Sequence, residues 1–284
     1  MHKTSRFTQT IVYVKKNARL FKNQKDWKFI AIAAVISLLV CAIVGDDMFD
    51  TYDSTNSGFF AIVSAAIWIG IFNSIQRICK EHNTIRSEYR SGLHISSYVM
   101  SHVIFDFALC LSQALILLVV CCIFIDFPSE GVILGSAIVE YFITFFLIIW
   151  CSDIMGIMIS SVSGNPNVAM TAMPFVLILQ LVMSGVLFKL SGLSEKVANI
   201  TYSKWGMSAL GSIGDIANLE LKIIDKNPQL ADYIDRDMVL GSETIASYEH
   251  TSENLLKAWG CILIIGIACV LISGISLKIR NRDS

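Results

Sequence analysis

The sequence is short of charge. Only 16% of its residues are Asp, Glu, Lys or Arg, against about 25% in an ordinary globular chain. That leaves too few charges to coat a soluble enzyme. A formal net charge of −1 supplies no basic field for nucleic acid. Cysteine motifs are missing too. Cys41, Cys79, Cys110, Cys121, Cys122, Cys151, Cys261 and Cys269 include no CxxC pair, and no Cys/His spacing suits zinc. They read as small hydrophobes within apolar blocks. HExxH, G-x-S-x-G and G-x-x-x-x-G-K-[ST] are all absent, and the five histidines (His2, His82, His94, His102, His250) do not cluster with a nucleophile. The chain therefore has no P-loop with which to cradle ATP. Energy for uphill movement would come from a partner or an ion gradient.

What is present is apolar length. The hydrophobic set makes up 54% and mean hydropathy is +0.62. Six blocks are candidates for crossing a bilayer: Phe29–Val44, Gly58–Ile75, Ser97–Ile125, Val132–Ile159, Val168–Leu187 and Leu255–Leu277. About 20 residues cross about 30 Å of hydrocarbon. Lys and Arg set the direction. Residues 1–28 carry eight of them, the loop after the first block has none, and Arg77, Lys80, Arg86 and Arg90 follow the second. The loop after the third has none, and Lys278, Arg280 and Arg282 end the chain. This alternation predicts both termini in the cytoplasm. The first block follows a basic segment with no small-residue cleavage site, so it is expected to be retained. Residues 189–254, with ten acids and six bases, are expected outside.

The expectation is an all-α polytopic membrane protein. Residues 1–28 would form a cytosolic amphipathic helix, and 29–284 a six-span domain whose outer segment is 189–254. Phe7, Ile11, Val14, Ala18 and Phe21 fall at helical spacing, with Lys15, Lys16, Arg19 and Lys22 off that stripe, as in a helix lying on a membrane surface. Residues 77–92 form a dense mixed-charge helix candidate between two spans. Glu81 and Glu88 share a face, and Arg77, four before Glu81, is placed to brace it. Asn73, Asp106, Gln113, Glu140, Asp153 and Gln180 interrupt apolar blocks. Each is expected to face protein or a watery cavity, because mid-bilayer charge costs roughly 2.5–3.5 kcal/mol. His102 and Asp106 share a helix face but are too few to hold a metal.

Two stretches resemble a known family. Glu81…Glu88-Tyr89-Arg90-Ser91-Gly92, then Ser96-Ser97-Tyr98…Asp106, is similar to a coupling helix running into a third span. Ser184-Gly185-Val186-Leu187…Leu190, then Ser203-Lys204-Trp205-Gly206-Met207-Ser208-Ala209-Leu210, resembles a fifth span, a re-entrant segment and an outer helix. Together they resemble the membrane domain of ABC-2 type permeases, especially that of the G subfamily of ABC exporters and its bacterial relatives. The resemblance implies two six-span units around a central cavity, with a separate ATPase subunit holding ATP and Mg, and no cofactor on this chain. It implies coupling through an N-terminal elbow helix and through Arg77, Glu81, Arg86 and Glu88. The cavity would be lined by Ala66, Ile69, Pro174 and Ile178, with an outer valve at Val186 and Leu187. It further implies a bacterial plasma-membrane exporter of amphipathic cargo (peptide, antibiotic or lipid-like) whose partner permease is identical or a paralogue. Two other readings compete: a membrane-embedded antimicrobial-peptide sensor or immunity protein, and an ion-coupled carrier using Asp106 and Glu140.

Overall fold

The computed structural model describes residues 5–45, 48–188, 192–219 and 248–282. Among these we number the helices α1 (Arg6–Asn23), α2 (Lys28–Val44), α3 (Tyr52–Ser74), α4 (Arg77–Arg90), α5 (Ile95–Phe124), α6 (Ala137–Val162), α7 (Pro166–Val182), α8 (Leu193–Ala198), α9 (Tyr202–Ile213) and α10 (Ser252–Arg282). The described residues contain no strand. Four helical stretches are long and apolar enough to cross a membrane: α3 with α4, α5, α6 and α10. Helices α1 and α2 meet that test only as a pair bent by 70°. Helix α7, with 17 residues, reaches about 26 Å. The chain is a multi-pass membrane protein. Part of the expected outer segment, residues 189–191 and 220–247, lies outside the described residues.

Local chemistry sets the helix ends. Thr51 accepts from the Ser54 backbone N–H in a capping box, so α3 starts at Tyr52, six residues before the expected Gly58. Asn165 caps α7 by accepting from the Val168 N–H, with Pro166 in the first turn. The fourth span was expected from Val132, but α6 begins at Ala137. The Glu140 carboxylate accepts from the backbone N–H groups of Val132, Ile133 and Leu134 at 2.6–2.8 Å. That holds these residues in a turn and puts Glu140 in the first turn of α6.

Helices α3 and α6 form the centre of the bundle. They approach closely because both faces are small. A Cβ at Gly70 would strike the Ile149 carbonyl, and one at Gly156 would strike the Ser74 hydroxyl. Hydroxyls tie the same seam: Ser152 donates to the Ile67 carbonyl at 2.6 Å, and Ser74 to the Asp153 carbonyl at 2.5 Å. Helices α5, α9 and α10 pack around this pair, and α2 packs on α3 and α5. Helix α9 sits deep. Tyr202, Met207, Leu210 and Ile213 are fully buried in the bundle core.

Candidate functional site

One corner of the bundle gathers the charged residues. It is formed by α1, α4 and the first turns of α5. The Lys16 ammonium of α1 lies 3.6 Å from Glu81 and 3.5 Å from Glu88, both on α4. Tyr13 donates to Glu88 at 2.7 Å, and Tyr98 of α5 donates to Glu81 at 3.1 Å. The Tyr13 and Tyr98 rings meet edge to face at 5.8 Å. Burial, then the hydrogen bond to Glu88, pushes the Tyr13 phenol well above its ordinary range, so it remains a donor at any physiological pH.

The sequence placed Glu81 and Glu88 on one face, and they share it. That face turns toward α1. Arg77 does not brace Glu81; it pairs with the fully buried Asp106 and donates to the Asn73 carbonyl at 3.0 Å. The reason is position. Arg77 opens α4 beneath α5, where an unpaired carboxylate in the bundle interior draws it inward. Asp153 of α6 is fully buried as well, with neither carboxylate oxygen hydrogen-bonded, and it interacts electrostatically with Asp106 and Arg77. A flanking face of α4 presents Lys80, Asn83, Thr84 and Ser87, all exposed and at positions that share one helix side. Arg86 is exposed as well.

Helix α1 divides its faces in a way its apolar stripe does not reveal. Phe7 and Ile11 point outward, at 74% and 40% exposure. The side against the protein is polar. Gln9 clasps the α4–α5 turn from both sides, donating to the Gly92 carbonyl and accepting from the His94 N–H. Asn17 meets His102 at 3.4 Å. Tyr13 and Lys16 are the site residues that sequence reasoning missed. The only available signal was the polar spacing of 9, 13, 16 and 17, which traces one helix face.

The intramembrane polar residues act as ties between helices. Asn73 and Gln113 exchange hydrogen bonds at 2.8 and 3.0 Å, and Gln113 also reaches the Phe29 carbonyl. Gln180 of α7 accepts from Ser203 of α9. Glu140 and Asp153 are 13 residues apart on α6, about 20 Å. Glu140 is therefore far from Asp106, and no common ion site joins them.

The expected cavity residues separate into two groups. Ala66 and Ile69 are buried at 0% and 3%, inside the core of the chain's own bundle. They are closed to a cavity between two copies in this conformation. The open side of α3 instead carries Ser64, Trp68 and Phe72. The almost unbroken run of apolar residues in span two gives no sign of which side meets α6; the glycine contacts at Gly70 decide it. Pro174 and Ile178 of α7 are exposed, Ile178 at 58%. Val186 is half-buried and Leu187 is 52% exposed, both just past the end of α7.

Comparison with known proteins bears on this arrangement. The family model of the ABC-2 type transporter matches residues 8–213, from α1 through the end of α9. The chain belongs to the ABC-2 type transporter family and is a transmembrane permease. Permeases of this family pair with an ABC ATPase and as a rule dimerise. No curated protein matches the sequence.

Proposed function

We propose that this chain is the permease subunit of an ATP-driven exporter that moves an amphipathic substrate out of the cytoplasm or inner leaflet. A separate ATPase subunit would supply the ATP and Mg chemistry. The observation that carries this reading is the α1–α4–α5 corner in a member of this family. Helix α4 continues α3 as a single 39-residue stretch, 52–90, so a load applied to α4 passes directly into the bundle. In this reading α2, α3, α5, α6, α7 and α10 are six spans, both termini are cytoplasmic in a bacterial plasma membrane, α1 is the elbow helix and α4 the coupling helix. Its Glu81 and Glu88 brace it against the elbow, and Lys80, Asn83, Thr84 and Ser87 meet the ATPase. The exposed sides of α3 and α7, with Trp68, Pro174 and Ile178, face the second permease across the cavity. Val186 and Leu187 seal the outer exit by excluding water.

The test is a pull-down of the permease from its native membrane, with co-purifying ABC ATPases identified by mass spectrometry. Thr84→Arg with Ser87→Arg adds bulk and charge on the open face of α4, where no core packing is disturbed. The variant should insert and elute like the wild type but lose the ATPase and transport. Retention of both would reject this docking face, and a wild-type permease that never co-purifies with an ATPase would reject the function.

A further inference from the structure

A groove of about 510 Å3 runs between the start of α5 and the last turns of α10. Its walls are apolar, built from Val99 and Met100 of α5 with Val270 and Leu271 of α10. Its end toward the chain termini is basic. Arg6 of α1 and Lys278 of α10 stand there, both exposed. Among the described residues neither takes part in a salt bridge. Helix α5 opens at this end. The N–H groups of Ile95 and Ser96, in its first turn, lack intrahelical acceptors, and both residues line the groove. The wall is indented at Gly274, where an added Cβ would meet no atom within 4 Å. From Val270 to Lys278 the groove follows eight residues of helix, about 12 Å.

We propose that this groove binds one anionic phospholipid. Its phosphate sits between Arg6 and Lys278 at the start of α5, and one acyl chain lies along α5 and α10 over Gly274. Charge selects this occupant. An apolar helix would fill the walls but leave two cations unanswered, and a zwitterionic lipid brings a cation of its own to the same mouth. An anionic headgroup answers both cations while its chain covers the apolar walls. The groove touches Tyr89 at the end of α4 but uses none of Lys80, Asn83, Thr84 and Ser87, the residues assigned to the ATPase, so its failure leaves the permease reading untouched.

The full-length protein, reconstituted in nanodiscs of phosphatidylcholine and phosphatidylglycerol, is released by native mass spectrometry and its retained lipids are counted. Wild type should keep one phosphatidylglycerol in preference to phosphatidylcholine. Arg6→Gln and Lys278→Gln should each cut that preference roughly fivefold, whereas Lys15→Gln, on the exposed side of α1, should not. Gly274→Leu should expel the lipid while the protein stays folded and monodisperse, because its side chain enters open space. Equal retention of the two lipids by wild type, an unaltered preference in the cation variants, or an equal loss from Lys15→Gln would overturn the proposal. Full retention in Gly274→Leu would overturn the placement of the chain.

Discussion

Arg77 and Asp106 give an unequal pair of substitutions, and the inequality is the test. The Asp106 side chain is 0% exposed and that of Arg77 is 16%. Removing one member of a buried ion pair strands the other charge, at about 3–5 kcal/mol, while replacing both with apolar residues is often neutral. Asp153 breaks the symmetry, because it is fully buried with neither oxygen hydrogen-bonded and interacts electrostatically with both Asp106 and Arg77. In Asp106→Asn the guanidinium keeps one carboxylate, so the loss falls at or below about 3 kcal/mol. In Arg77→Leu two buried carboxylates lose their shared cation, so the loss reaches about 5 kcal/mol. At roughly 2–4 °C per kcal/mol, Arg77→Leu should melt roughly 10–20 °C below wild type and Asp106→Asn about half as far below. Arg77→Leu with Asp106→Leu should regain a part of what Arg77→Leu loses. The assay is thermal inactivation in mild detergent, read as monodisperse protein surviving on size exclusion. Equal losses in the two single variants, or a double variant at the sum of both, would refute the assignment of a shared cation.

Two further outcomes follow from the contacts. The Cys41 and Cys121 sulfurs, on α2 and α5, are 3.1 Å apart and both buried. Diamide should therefore link them, taking two electrons and two protons from the thiols. The product is a peptide joining residues around 41 and 121 by mass spectrometry; it should vanish in Cys41→Ser, and modification of the exposed Cys122 alone would contradict the α2–α5 packing. On α4, partial burial together with Arg280 and Arg86 holds His82 below the ordinary imidazole range. A depressed folded-state value means the contribution is present above the unfolded value near 6.5 and is lost as the pH falls through the folded one. After correction for the intrinsic base-catalysed rate, protection of the α4 amides should fall between pH 7.5 and 5.5, and His82→Gln should flatten that dependence.

Much of the helical layout was legible because apolar length is a local property. The blocks beginning at Phe29 and Ser97 differ from α2 and α5 by one or two residues. Misses occurred where a polar side chain captured backbone N–H groups near a helix start. Glu140 folding back on Val132–Leu134 delayed α6, and the Thr51 box advanced α3. The site was less legible for a stronger reason. Which side of α4 meets protein depends on α1, more than 60 residues away in sequence, and neither Glu81 nor Glu88 carries any mark of Lys16. The inward turn of Arg77 depends in the same way on Asp106 and Asp153, which belong to two later helices. Periodicity placed these residues on faces correctly and could not name the neighbour of each face.

That neighbour relation bears directly on how force would cross this corner. Helix α4 ends in a Schellman stop. Gly92, at φ 102°, lets the Leu93 N–H reach the Glu88 carbonyl and its own N–H reach that of Tyr89. A side chain there would strain the turn, so glycine fixes the angle between α4 and α5. Gln9 then holds this turn to α1 on both sides, and Ser97 donates to the Arg6 carbonyl at 3.0 Å. No single tie is strong. Partly exposed ion pairs such as Lys16 with Glu81 or Glu88 contribute about 0–1 kcal/mol each. Their effect is geometric. With α4 joined to α3 at one end, to α5 through a fixed turn at the other, and to α1 along its length, it has no independent hinge. Any displacement of α4 has to move α1, α3 and the start of α5 together. If α1 is the elbow helix proposed above, its outward apolar stripe, Phe7 and Ile11, would set the plane in which that unit slides, because leaving the membrane interface would expose the stripe to water.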